Sequence, residues 1–248
     1  MFVAPRDGLS SLVDVMAAKL PAGCVRLNCA VRRIDHVNRE WRVVDENGSQ
    51  KCDGLIVATS ATTAANLLAR VNSTLANELA AIEYAGSAVV ALGYERSQIA
   101  RPLDSFGFVV PAIERRRILS ASFASVKFPG RAPAGKELIR VFLGGALQPE
   151  VLEHTDDQLR QIAEDELQEL LGITGGPCLS MVFRWSASMP QYHLGHLDRV
   201  RQINEKLSQL PGIALAGNAY TGVGIPQCVR SGEQAAERLI CSGENCSG

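Results

Sequence analysis

The sequence predicts an α/β chain of α+β character. One part is an α/β unit around short buried strands, and the other is a mixed β-sheet with helices. Three observations lead there. Residues 55–58 and 213–216 are continuous apolar runs, as expected of strands covered on both faces. Thr155-x-x-Gln158 forms a capping box ahead of an apolar helical stripe that Gly172 closes. Leu179, Met181, Phe183 and Trp185 alternate as strand residues do, and further strand patterns centre near Val89, Phe108, Ser120 and Ile139.

Taken in order, Leu9, Leu12, Val13, Met16, Ala17 and Leu20 recur at helical spacing, and Pro21-Ala-Gly23 ends that helix. Val25, Leu27, Cys29 and Val31 alternate as a half-buried strand. Residues 41–45 and 50–53 flank Asn47-Gly48, a hairpin signal. After the 55–58 strand, small residues over 60–69 and the stretch 74–82 read as helices. Leu159, Ile162, Ala163, Leu167, Leu170 and Leu171 face the core from the capped helix. Leu197, Val200, Ile203, Leu207 and Leu210 mark a further helix before the 213–216 strand. Two units are expected, 1–70 with 206–248 and 71–205, with a disordered tail over 241–248.

Bulk properties narrow the function. The 248 residues are 46% hydrophobic and 21% charged, ample for a buried core. A net charge of -1 provides no steering toward nucleic acid. The longest apolar runs, 55–58 and 88–92, fall far short of the ~20 residues of a membrane span. Arg6, Asp7 and Asp14 leave no secretory signal pattern at the start. The seven cysteines are scattered and form no C-x-x-C, which argues against a disulfide framework and for a reducing cytoplasm. Association with a membrane surface stays open. His193 and His196 with Cys178 lack a fourth ligand, so no metal site is expected.

The most informative stretch is 212–240. It reads as a strand, a glycine-rich loop over 217–224 and a helix from about Pro226 to Ile240. Proline suits a first helical turn, where its missing N–H would have had no partner. Gly217, Gly222 and Gly224 allow close backbone approach, and the bare amides of a helix start favour a negatively charged group. Gly222-Val-Gly224 is no dinucleotide fingerprint, because Gln227 stands where the third glycine belongs.

At these residues the chain resembles a family. Leu215-Ala-Gly-Asn-Ala-Tyr-Thr-Gly-Val-Gly-Ile-Pro-Gln-Cys228 with Ser231-Gly-Glu-Gln-Ala-Ala236 is similar to the C-terminal signature of the protoporphyrinogen and coproporphyrinogen III oxidases. These are FAD-dependent enzymes of haem biosynthesis within the flavin amine oxidase superfamily. Gly8-Leu-Ser-Ser-Leu12, Asp53-Gly-Leu-Ile-Val-Ala-Thr59, Phe106-Gly-Phe-Val-Val-Pro111, Lys127-Phe-Pro-Gly130, Arg140-Val-Phe-Leu-Gly-Gly145, Arg184-Trp185 and Met189-Pro-Gln-Tyr-His-Leu-Gly-His196 resemble other family segments, in order. The family's opening G-x-G-x-x-G is absent, so a C-terminal portion of such an oxidase is expected.

The resemblance implies a partial FAD/NAD(P)-binding three-layer domain beside a substrate domain. It implies porphyrinogen oxidation, with hydride passing to flavin N5 and oxygen as acceptor; no catalytic side chain is assigned. FAD contacts fall on Val31, Trp185, Gly217, Asn218, Gly222, Val223, Gly224 and Ile225. Substrate contacts fall on Phe106, Gly107, Val109 and Phe142. Val31 and Trp185 read equally well as strand core, and the Arg115-Arg-Arg117 run reads as a solvated turn rather than a propionate contact. A non-catalytic partial chain that needs a separately encoded N-terminal half is the alternative, as is a related amine oxidase or desaturase. A homodimer stays open.

Overall fold

The computed structural model describes residues 4–38 and 40–244. The helices are α1 (Ser10–Ala18), α2 (Ala61–Leu68), α3 (Ser73–Ala80), α4 (Ala124–Lys127), α5 (Asp156–Leu171), α6 (His196–Leu207) and α7 (Ile225–Glu244). The strands are β1 (Arg33–Val37), β2 (Glu40–Asp45), β3 (Gly48–Cys52), β4 (Leu55–Val57), β5 (Tyr84–Glu95), β6 (Gly107–Val109), β7 (Ser120–Phe123), β8 (Lys136–Gly144), β9 (Leu179–Pro190) and β10 (Ile213–Leu215). They divide into two compact units, Met1–Glu83 with Tyr192–Gly248, and Tyr84–Gln191.

In the first unit β1, β2 and β3 form an antiparallel meander, and β10 runs parallel to β4. Helix α7 lies on these two strands through Ala235 and Leu239 against Ala214 and Ala216. Small side chains on both sides let the helix come close. Asn72 caps α3 by accepting from the Leu75 amide, and Ser60 caps α2 through the Thr63 amide. Leu68, Leu75, Leu79 and Ile203 are buried, and Glu78 on α3 pairs with Arg199 and Lys206 on α6 at 3.1 and 3.4 Å.

In the second unit five antiparallel strands lie in the order β6-β7-β8-β5-β9. Ala88, Val90, Leu92, Ile139, Val141 and Leu143 share one buried cluster with Leu159, Ile162, Ala163, Leu167 and Leu171 of α5. Each large aliphatic side chain sealed there contributes about 1.5–3 kcal/mol. The capping box is present: the Thr155 hydroxyl accepts from the Gln158 amide while the Gln158 side chain accepts from the Thr155 amide. Gly172 ends α5 in the left-handed region at φ 65. Because β-strand side chains alternate, the same strands leave their other set of residues on an open face.

Four expectations need correction. Residues 25–31 form no strand: Val25, Leu27 and Val31 are exposed, and no described strand lies beside them to pair with. Pairing begins at Arg32, whose amide donates to the Val44 carbonyl at 2.8 Å. The 55–58 run is covered on one side only, since Val57 is buried while Ile56 is 38% exposed. The hairpin turns at Glu46-Asn47, because Asp45 pairs with Gly48 and its carboxylate accepts from the Asn47 amide at 2.7 Å. The chain over 241–244 continues α7; residues 245–248 lie outside the described residues.

Candidate functional site

The glycine-rich loop joins β10 to α7 in the first unit, as its residue types demand. Gly217 at φ 128 and Gly222 at φ 152 occupy backbone that other residues rarely adopt. The loop's amides sort into held and bare. Gly217 N–H donates to the Ser231 hydroxyl at 3.1 Å, and Gly222 N–H donates to the Tyr192 hydroxyl at 2.9 Å. The same hydroxyl donates to the Asn218 carbonyl at 2.7 Å, so one phenol oxygen clips both ends of the turn. His196 stacks on Tyr192 with ring centroids 3.8 Å apart, and its Nε2 lies 3.0 Å from the Tyr220 carbonyl.

The amides of Val223, Gly224 and Ile225 have no partner among the described residues. They open the 20-residue α7, whose dipole places partial positive charge there. At Gly224 an added Cβ would run into the Gln227 side chain. Bare amides, close backbone approach and a helix start suit an electron-rich ring edge such as that of a flavin. Pro226 sits in the first turn. Val31 lies one residue before Arg32, the first residue paired to β2.

The second set of residues lies on the open face of the β6-β7-β8-β5-β9 sheet. Register puts Val109, Ser120, Phe142, Val89 and Phe183 in one row across all five strands. The neighbouring row is Gly107, Ser122, Arg140, Ala91 and Met181. Gly107, Val109 and Phe142 therefore share a surface with Phe183 and Met181. Trp185 follows in the next row opposite Ser87, stacked on Phe183 at 6.3 Å and 24°. Val109 is 79% exposed; Met181, Phe183 and Trp185 are also exposed. Phe106 is exposed beside this patch, with its carbonyl accepting from the Phe123 amide at 3.0 Å. Gly107 at φ 137 lies so close to Ala121 and Ser122 that a Cβ would not fit. The opposite side of β9 anchors the strand: Arg184 bonds the Asp156 carboxylate at 2.6 Å and the Leu152 carbonyl at 2.9 Å.

Two of the three arginines in the 115–117 run are spoken for. Arg116 donates to Glu166 at 2.9 Å and Glu169 at 2.7 Å, and Arg117 pairs with Asp165 at 3.4 Å. The Arg116 pairing holds the Glu169 carboxyl below the usual carboxylate range. His193 pairs with Glu83 at 3.1 Å, and no group of metal-ligating side chains gathers among the described residues. Two residues escaped sequence reasoning. Tyr192 stood in a quoted motif, but its partners are backbone groups 26 and 30 residues away, invisible to local spacing. Arg140 also stood in a quoted motif, yet only the strand register reveals it on the open face.

The model of the flavin-containing amine oxidoreductase family matches residues 1–240. The chain belongs to this family. It is 30% identical to the coproporphyrinogen III oxidase of Bacillus subtilis over 94% of its length, and 33% identical to that of Propionibacterium freudenreichii over 95%. A solved Exiguobacterium structure, assigned as a protoporphyrinogen oxidase, superposes with a TM-score of 0.85 at 26% identity over 97% of the chain. The chain spans about half of each, namely 50%, 44% and 52% of their lengths. No helix among the described residues is long and apolar enough to cross a membrane.

Proposed function

We propose that this chain serves as the flavin-ring and substrate-wall portion of an FAD-dependent porphyrinogen oxidase. The observation that carries the reading is the match to coproporphyrinogen III oxidases along 94–95% of the chain. The geometry of both sets of residues supports it. When bound, flavin would supply the two-electron acceptor for hydride removed from a ring carbon of the porphyrinogen. The amides of Val223, Gly224 and Ile225, with the α7 dipole behind them, favour negative charge on the group they meet. Tyr192 and Ser231 hold the loop so that these donors need no reorganisation. Val109, Phe142, Phe183 and Met181 offer a flat apolar wall that a tetrapyrrole face can cover while excluding water. The units lie at other bounds than the sequence suggested, and Met1–Glu83 with Tyr192–Gly248 act with the cofactor and Tyr84–Gln191 with the substrate. Location in the cytoplasm goes with this reading; peripheral membrane contact and a homodimer are open additions to it.

A second reading, a chain inactive until joined by a separately encoded half, is favoured by one specific feature. Helix α1 buries no residue although it carries Leu12, Val13, Val15 and Met16. Among the described residues the β10-β4 sheet has two strands, and Ile56 on it is 38% exposed.

One experiment tests both. The purified chain is mixed with FAD, with and without a polypeptide covering the unmatched half of the Bacillus subtilis relative. Flavin absorbance is followed through gel filtration, and porphyrin fluorescence is followed after addition of coproporphyrinogen III or protoporphyrinogen IX. Colour and porphyrin formation by the chain alone support the first reading; their appearance only with the added half supports the second. A colourless, inactive mixture in every arm overturns the oxidase assignment.

A further inference from the structure

Among the described strand residues of the open sheet face one cation is uncommitted, and its placement defines a specificity element. The inference depends on the porphyrinogen reading above. Arg140 lies on β8 two residues before Phe142, on the same side of the strand. Its guanidinium stands 5.4 Å from the Phe142 ring centroid, over the aromatic face. It makes no hydrogen bond or ion pair with any described residue. Its row neighbours are Ser122 on β7, Ala91 on β5 and Met181 on β9, none of which carries charge. The other charges on this side, Lys136 and Glu95 at one end of the β5-β8 pair, neutralise each other at 2.9 Å. By contrast Arg116, Arg117 and Arg184 are all tied to carboxylates.

A guanidinium presents five donors in a rigid fork that matches a carboxylate in two parallel bonds. On an apolar wall whose acid Glu95 is already paired with Lys136, that fork wants an anion from a ligand. Stacking on Phe142 restricts the side chain before the ligand arrives, so less freedom is lost in pairing. The geometry points to Arg140 as the carboxylate-reading residue of this face: it selects a flat macrocycle whose rim acids reach over the Phe142 ring, and favours a tetracarboxylate over a dicarboxylate. No bond is made or broken in this role; the residue binds and orients.

The test uses the purified 248-residue chain with three stable porphyrins: coproporphyrin III, protoporphyrin IX and the tetramethyl ester of coproporphyrin III. Binding is read by quenching of tryptophan fluorescence, to which the exposed Trp185 on the same face contributes. Wild type is expected to bind the tetraacid most tightly. Arg140→Gln should weaken the tetraacid about tenfold, the cost of one charge-assisted contact, and leave the ester unchanged. Arg140→Lys should recover part of the loss, keeping the charge without the fork. Equal weakening of acid and ester in Arg140→Gln, or no change in either, overturns the inference while leaving the porphyrinogen reading intact. Failure of wild type to bind any of the three, both alone and with the added half present, overturns both.

Discussion

The Gly222 amide donates to the Tyr192 hydroxyl at 2.9 Å, across 30 residues of sequence. With the Asn218 carbonyl on its other side, Tyr192 fixes which loop amides are used internally and which stay bare. Replacing Tyr192 by Phe removes both bonds and keeps the ring stacked on His196. Hydrogen exchange of the 217–225 segment should speed up by about tenfold, the loss of one or two modest hydrogen bonds, with melting temperature little changed. Unchanged exchange would show that the glycines alone hold the turn.

Gly224→Asp should abolish flavin retention in the FAD-reconstituted protein. The new side chain meets Gln227, and its carboxylate competes for the amides of the helix start. Absorbance after gel filtration is the measurement, and Gly176→Asp, placed in open space, is the control. A variant that stays yellow removes this loop from the cofactor site.

Trp41 is fully buried, stacks on His36 at 4.2 Å and donates from Nε1 to the Pro211 carbonyl at 2.8 Å. It ties the hairpin to the turn that leads into β10. Trp41→Ala should cost about 3–5 kcal/mol in the first unit. Trp41→Phe should cost about 1–2 kcal/mol, mainly for the carbonyl left without its donor. Denaturant unfolding of the two variants separates packing from hydrogen bonding.

Acid should weaken the second unit through Glu169. The Arg116 hydrogen bond, and then its charge, hold the Glu169 carboxyl below its unfolded value. The stabilisation is therefore complete above the ordinary glutamate value of about 4.3 and disappears as pH falls through the lower folded value. Glu164 acts in the opposite sense, since desolvation raises its carboxyl, so the comparison belongs in a Glu164→Gln background. There, melting temperature should drop on acidification below about pH 4, and Glu169→Gln should flatten that drop. The limb will be shallow, because Glu169 is exposed and water screens the pair.

Features governed by neighbours in sequence were legible. The Thr155 capping box and Gly172 act within three or four residues of each other, and the β10-loop-α7 order follows from glycines and Pro226 in succession. Features governed by distant partners were not. Val25, Leu27 and Val31 alternate correctly, but alternation makes a strand only where another strand stands alongside. Asn47-Gly48 announced a hairpin, yet the Asp45 side chain chose the turn one residue earlier. Apolar spacing located α1 without revealing that it buries no residue among the described residues. On the sheet, the motif residues Gly107, Val109 and Phe142 were visible singly; that they share a surface with Phe183, and that Arg140 stands among them, follows only from register.

The division of β8 over residues 139–143 into one sealed and one more open set of side chains has an evolutionary consequence. Val141 and Leu143 answer to folding, whereas Arg140 and Phe142, their immediate neighbours, answer to whatever lies on the exposed side. Substitutions at Val109, Arg140, Phe142 or Phe183 can thus accumulate with little penalty to the interior. A lineage could retune its ligand preference along one plane of residues while its scaffold stays still.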